Sequence, residues 1–149
     1  MVGSAPRKVS QTAPLMKVSG LFRDRADGLT FTLIGCAGLK MGKDSCSEKQ
    51  DEPELGYWIG RQFWGNGYAT EAGERLLRHA FEDMNSHAVW CCYYDGNARS
   101  KRVQEKLGFT YVRTDPKGDT LLGYTLLEIE NVLRKADFDG RRGTRTALL

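Results

Sequence analysis

The stretch RQFWGNGYATEAG, residues 61–73, sets Gly65 and Gly67 on either side of Asn66, directly ahead of a long amphipathic run. Glycine at both positions admits positive φ and lets backbone amides approach a ligand with no Cβ in the way. A turn of this kind that opens a helix presents unpaired N–H groups at the positive end of the helix dipole, where phosphates bind. The same residues also make an ordinary turn and helix start, and two glycines alone leave both readings standing. Two other phosphate motifs do not fit. The dinucleotide fingerprint GxGxxG would need a third glycine where Thr70 stands, and the P-loop pattern GxxxxGK[ST] is absent. A second polar cluster lies in DGNARSKRVQEKLGF, residues 95–109, where Asn97 has N-cap chemistry and Ser100 falls one turn later.

Elements with legible boundaries surround these groups. ELGYWIG (54–60) is short, aromatic and closed by glycine, which predicts a strand running straight into the glycine turn. From Ala69, apolar and small residues recur at 69, 72, 73, 76, 77, 80, 81 and 84, the period of one helix face, so Gly67 to Asp83 reads as a helix. AVWCCYY (88–94) is a strand, and Ala98 to Leu107 is a second helix stopped by Gly108. FTYVR and TLLGYTLLEI, joined by TDPKGD, predict an antiparallel hairpin turning at Pro116 and Gly118. Upstream, LTFTLIGCAGLK (29–40) is a strand, LMKVSGLF (15–22) a weak apolar stretch, and 41–53 a polar loop. Residues 1–14 and the basic tail from Asp137 lack an apolar period and are expected to be mobile.

At 149 residues, 40% of them apolar, the chain suits one domain with a single core. No run approaches the roughly 18–20 apolar residues that span a bilayer, and MVGSAPRKVSQTAPL lacks a secretory apolar block. A soluble, cytoplasmic protein with no membrane partner is expected. A net charge of +3 is too small to argue for nucleic acid, but it suits a polyanionic small ligand. Cys36, Cys46, Cys91 and Cys92 have no CxxC spacing, so neither metal nor a disulfide framework is expected; free thiols are, with Cys46 the one in a polar loop.

Together, ELGYWIGRQFWGNGYATEAGERLLRHAF and DGNARSKRVQEKLGF resemble the GCN5-related N-acetyltransferase (GNAT) superfamily, and within it the RimJ/RimL-like branch. Gln62-x-x-Gly65-x-Gly67 matches the [QR]xxGxG[AG] signature for acetyl-coenzyme A, with Tyr68 at its last position; Asn97-x-x-Ser100 and Glu105 to Phe109 carry the second block. The resemblance covers residues 54–109 and implies an α/β (α+β) fold. Its sheet would be mixed and mostly antiparallel, with a parallel, splayed strand pair at 54–60 and 88–94, flanking helices and a shortened N-terminal part. The implied domains are an extension or shortened first elements at 1–28, an acetyl-CoA-binding domain at 29–130 and a mobile basic tail at 137–149.

The activity implied is acetyl transfer from acetyl-CoA, the cosubstrate, to a primary amine, with a protein N-terminus favoured over a polyamine or an antibiotic. A noncatalytic acyl-CoA-binding or protein-interaction module is the alternative. By resemblance the pantetheine arm pairs with backbone near Trp58 and Ile59, and the pyrophosphate sits on the amides of Phe63, Trp64, Gly65, Asn66, Gly67, Tyr68 and Ala69. Arg61, Arg99, Lys101 and Arg102 would stand near the phosphates. Glu54, at the start of the cleft-bordering strand, is the base candidate, directly or through water, while Glu71 stabilises a helix end. Ser100 would face the coenzyme sulfur, and Asn97 would bind coenzyme or a catalytic water while capping its helix. By the same resemblance, many relatives place a tyrosine as the proton donor where this chain has Gln104. Only 28 residues precede the strand at 29–40, so the acceptor side is expected to be reduced or completed by a partner, such as a second copy in a homodimer.

Overall fold

The computed structural model describes residues 17–24, 31–41, 45, 51–119 and 122–147. β-branched and aromatic runs form six strands: β1 (Lys17–Asp24), β2 (Phe31–Lys40), β3 (Glu54–Ile59), β4 (Ala88–Tyr94), β5 (Thr110–Asp119) and β6 (Thr125–Arg134). They form one sheet in the order β1-β2-β3-β4-β6-β5. Every neighbouring pair is antiparallel except β3 and β4. The fold is therefore mixed α/β with a single parallel pair, as the resemblance implies. The weak apolar stretch at 15–22 contributes to edge strand β1, which pairs with β2 from Lys17↔Leu39 to Asp24↔Phe31.

Alternation divides the sheet into two faces. Leu39, Leu55, Val89 and Leu133 join one buried cluster with Leu77 and Phe81, with Leu107, and with Phe138, from the helical segments that follow β3, β4 and β6. Those segments are α1 (Tyr68–Arg78) with a π-helical turn at His79–Asp83, α2 (Ala98–Leu107) and α3 (Lys135–Ala147). Each such large apolar side chain contributes about 1.5–3 kcal/mol on burial. The opposite face carries Trp90 packed with Ala88 and Val132. No helix among the described residues is long and apolar enough to cross a membrane.

Three expectations need correction. The stretch from Asp137 is helical through Ala147, because Phe138 anchors it: its ring lies 4.8 Å from that of Phe81. The hairpin does not turn at Pro116 and Gly118. Both lie inside β5, the sheet's edge, where a register shift between Asp115 and Gly118 accommodates a residue with no N–H to donate, and the reversal falls between Asp119 and Thr125. Finally, the adjacent cysteines of β4 differ. Cys91 is a buried free thiol donating to the Leu55 carbonyl at 3.2 Å, whereas Cys92 is disulfide-bonded. Residues 1–14 and Cys46 lie outside the described residues.

Candidate active site

β3 and β4 meet in parallel at one registered pair, Glu54↔Trp90, reinforced by Trp90 N–H donating to the Pro53 carbonyl at 2.9 Å. Beyond that apex β3 keeps its ladder with β2 as far as Gly35↔Ile59, and β4 keeps its own with β6. A cleft of about 660 Å³ lies beside the outgoing end of β3. Tyr57, Trp58 and Ile59 of β3 line it first. Phe63, Trp64, Gly65, Gly67 and the α1 residues Tyr68, Ala69 and Thr70 form a second wall. Asn97, Arg99, Ser100, Arg102, Val103 and Lys106 at α2 form the third.

The turn that opens α1 is held by its own polar groups. Gly60 N–H donates to Ile34 O at 2.8 Å, Arg61–Phe63 form a short 3-10 turn, and Trp64 Nε1 donates to Ile59 O at 2.9 Å. Asn66 Nδ2 donates to Phe63 O and Trp64 O at 3.0 and 3.3 Å, so this side chain closes the turn and does not line the cleft. Gly65 and Gly67 have φ of 82° and 76°, and the space a Cβ would occupy at either is open. Gly67 is the N-cap of α1 and supplies no side-chain cap, which leaves first-turn amides able to receive an anion. The Arg99 guanidinium stacks 4.0 Å above the Trp64 ring, placing a cation beside that turn.

On the third wall, Asn97 caps α2 by accepting from Ser100 N–H at 3.1 Å. The Ser100 hydroxyl lies 2.9 Å from the Tyr57 hydroxyl. Burial, with smaller effects from neighbours such as Cys91, raises the Tyr57 phenol above the ordinary tyrosine range, so it is protonated at neutral pH. Glu54 is buried at the apex, 7% exposed, with Oε1 3.9 Å from Lys40 Nζ, and it does not line the cleft.

Of the residues the sequence assigns to coenzyme, all but Gln62 and Asn66 line this cleft. Among the proposed catalytic groups, Asn97 and Ser100 reach it and Glu54 does not. Arg99 and Arg102 also line it, whereas Arg61 and Lys101 do not; Lys101 faces Glu105 at 3.9 Å. Sequence reasoning passed over Thr70, Val103 and Lys106. The α2 residues were signalled by spacing, since 99, 102, 103 and 106 share one helical face.

A strand splayed from its parallel neighbour, with a glycine turn and a capped helix at the opening, is the arrangement the two motifs implied. The family model described as "Acetyltransferase (GNAT) domain" matches residues 9–110. The chain belongs to the GNAT acetyltransferase family. Among relatives of this GNAT chain, the Bacillus subtilis (strain 168) protein named "Putative ribosomal N-acetyltransferase YdaF" is 41% identical over 56 residues, 38% of this chain and 31% of that one. The Aspergillus fumigatus "FsC-acetyl coenzyme A-N(2)-transacetylase" is 34% identical over 68 residues, 46% of this chain and 29% of that one. A solved structure described as a "Probable acetyltransferase" superposes with TM-score 0.69 at 28% identity, covering 83% of this chain and 64% of its own. The chain thus spans about a third of the length of these two curated relatives.

Proposed function

We propose that this GNAT chain is an acetyl-CoA-dependent N-acetyltransferase of the RimJ/RimL-like branch, acting on a primary amine, with a protein N-terminal amine favoured. The observation that carries the reading is the cleft between the splayed end of β3, the uncapped start of α1 and the start of α2. Open space at Gly65 and Gly67 fits a pyrophosphate on the adjacent amides, and Arg99, Arg102 and Lys106 offset its charge. Trp58 and Ile59 offer backbone groups to the pantetheine arm. Acetyl-CoA supplies the activated acyl group. An α-amine with pKa near 8 loses its proton far more readily than a lysine near 10.4, which favours an N-terminus as acceptor. Ser100 donates a hydrogen bond to the departing sulfur, and Asn97 fixes the helix start that presents it. Glu54 takes the amine proton through water, since it stands off the cleft lining. The protein is read as cytoplasmic, without nucleic-acid or membrane partners, and as a candidate homodimer, which sedimentation would test.

Thiol release from acetyl-CoA with a panel of N-terminal peptides and simple amines tests the activity. Turnover that falls at least tenfold in Glu54→Gln and in Ser100→Ala supports these roles. Calorimetric titration of coenzyme A into Gly65→Val and Gly67→Val should show lost binding, and unchanged affinity in folded variants refutes the cradle. The second reading, a noncatalytic coenzyme-binding module, is favoured by Glu54 lying off the cleft beside Lys40. Tight coenzyme binding without release of thiol for any amine would select it.

A further inference from the structure

Beneath the cleft, four polar side chains from three elements form a continuous hydrogen-bonded line that ends on Ser100, and the other three, Tyr57, Gln104 and Asn131, have no role in the reading above. Gln104, on α2, is 1% exposed, and Asn131, on β6, is 7% exposed. Asn131 Nδ2 donates to Gln104 Oε1 at 2.6 Å. Gln104 Nε2 donates to the Cys92 carbonyl at 3.1 Å and to Ser100 Oγ at 3.4 Å. The Tyr57 hydroxyl, from β3, then meets Ser100 Oγ at 2.9 Å and the Ser100 carbonyl at 3.3 Å.

Donor and acceptor chemistry fixes most of this line. The Cys92 carbonyl can only accept, so the Gln104 amide must turn its NH₂ that way and its oxygen toward Asn131. Its remaining N–H is then directed at Ser100 Oγ. The serine oxygen therefore receives a donor from inside the protein and has its own hydrogen to place. With the cleft empty, that hydrogen can go to the Tyr57 oxygen, while Tyr57 donates to the Ser100 carbonyl. When a sulfur bearing negative charge arrives, Ser100 can donate to it, and Tyr57 can swing its hydrogen onto Ser100 Oγ. No covalent bond to hydrogen breaks in this exchange. Two donors on one hydroxyl oxygen polarise its O–H and strengthen what it donates.

We infer that Tyr57 and Gln104 are positioning residues that hold the Ser100 hydroxyl as a hydrogen-bond donor to the coenzyme sulfur. Tyr57 thus brings a phenol from β3 to the turn of α2 that carries Ser100 and Gln104. It acts through Ser100: a phenol raised above its ordinary range is a poor proton source for a thiolate but a durable hydrogen-bond donor. This inference rests on coenzyme A binding in the cleft, and it does not depend on the identity of the acceptor or on turnover.

The test is the acidity of the coenzyme A thiol bound to the full chain, read as thiolate absorbance against pH in wild type, Tyr57→Phe, Ser100→Ala and the double variant. Calorimetry and thermal melts establish binding and folding for each. A sulfur-directed donor stabilises the thiolate, so Tyr57→Phe should weaken the bound thiol's acidity about tenfold, one pH unit. In the Ser100→Ala background the same change should add less than twofold, because its route to the sulfur is gone. Unchanged acidity in Tyr57→Phe, or an equal loss with Ser100 absent, overturns the relay while leaving coenzyme binding intact. A folded wild type that binds no coenzyme A overturns the cleft reading and the relay with it.

Discussion

Gly35→Ala isolates how closely β2 must approach the cleft strand. Gly35 pairs with Ile59, next to the Gly60–Ile34 hydrogen bond that leads the chain into the glycine turn. A Cβ at Gly35 would fall well inside contact distance of the Trp58 carbonyl oxygen, 2.9 Å from Ile59 Cδ1 and 3.0 Å from Ile59 Cα. Carbon atoms normally meet at about 3.5–4.0 Å, so β3 must move about 0.5–1 Å away. Because the obstructing atoms are largely backbone, a rotamer change cannot relieve the contact. Overpacking costs about 1–3 kcal/mol, against about 0.5–1 kcal/mol gained by removing a strand glycine. The net loss is about 1–2 kcal/mol, or a fall in Tm of about 3–8 °C for a domain of this size. Trp58 and Ile59 also line the cleft, so coenzyme A affinity should fall together with stability. Gly56→Ala is the control: its Cβ would meet only the flexible end of the Lys40 side chain, Cε at 3.4 Å and Nζ at 3.8 Å, and that variant should match or slightly exceed wild type. Thermal melts followed by circular dichroism, with calorimetric titration, read both quantities. A Gly35→Ala protein at least as stable as Gly56→Ala would refute the close approach.

Arg141→Ala should lower Tm by about 2–4 °C, from a loss of about 1 kcal/mol, because this α3 guanidinium donates to the Leu107 and Lys106 carbonyls at the end of α2. An unshifted melt would mean that α3 does not hold α2. Burial, then the carboxylates of Glu54, Asp115 and Glu130, raise the Glu128 carboxyl above its ordinary range. The folded state then binds its proton more tightly than the unfolded state does, and Glu128 lowers stability as pH rises through that window. Glu128→Gln should therefore raise Tm at pH 7, with the gain vanishing below about pH 4, where the unfolded carboxyl is protonated too; a gain that persists in acid would contradict the electrostatic origin. Trp64→Ala removes both the Ile59 hydrogen bond and the face under Arg99, so coenzyme A should bind at least fivefold more weakly, with the largest deficit at low salt.

The order of elements from β2 to α2 was legible because each boundary has a local cause. β4 spans Ala88–Tyr94 and α2 spans Ala98–Leu107, the ranges read from AVWCCYY and from Asn97 with Gly108. Where the sequence misled, a distant contact had prevailed. Pro116 and Gly118 make turn chemistry, yet the position of β5 at the sheet edge lets them extend the strand. The segment from Asp137 has too few apolar residues to signal a helix, but one well-placed ring on Phe81 suffices once α1 and β6 have made the socket. Cys91 and Cys92 are identical in type and adjacent, and only the face each occupies distinguishes a core thiol from a disulfide.

The candidate site divides along the same line. Local chemistry by itself determined the glycine turn, its helix and the Asn97 cap, since each depends on φ preferences and hydrogen bonds within a few residues. The sequence could also name Gln104 as an unusual residue, but not say what it touches. Tertiary structure alone decided that β3 parts from β4 after one pair, that Glu54 stays at the buried apex, and that Tyr57 reaches Ser100 across 43 positions of sequence. Those contacts are set by strand order and register, which no local preference encodes, because they form only when separate segments pack into one sheet.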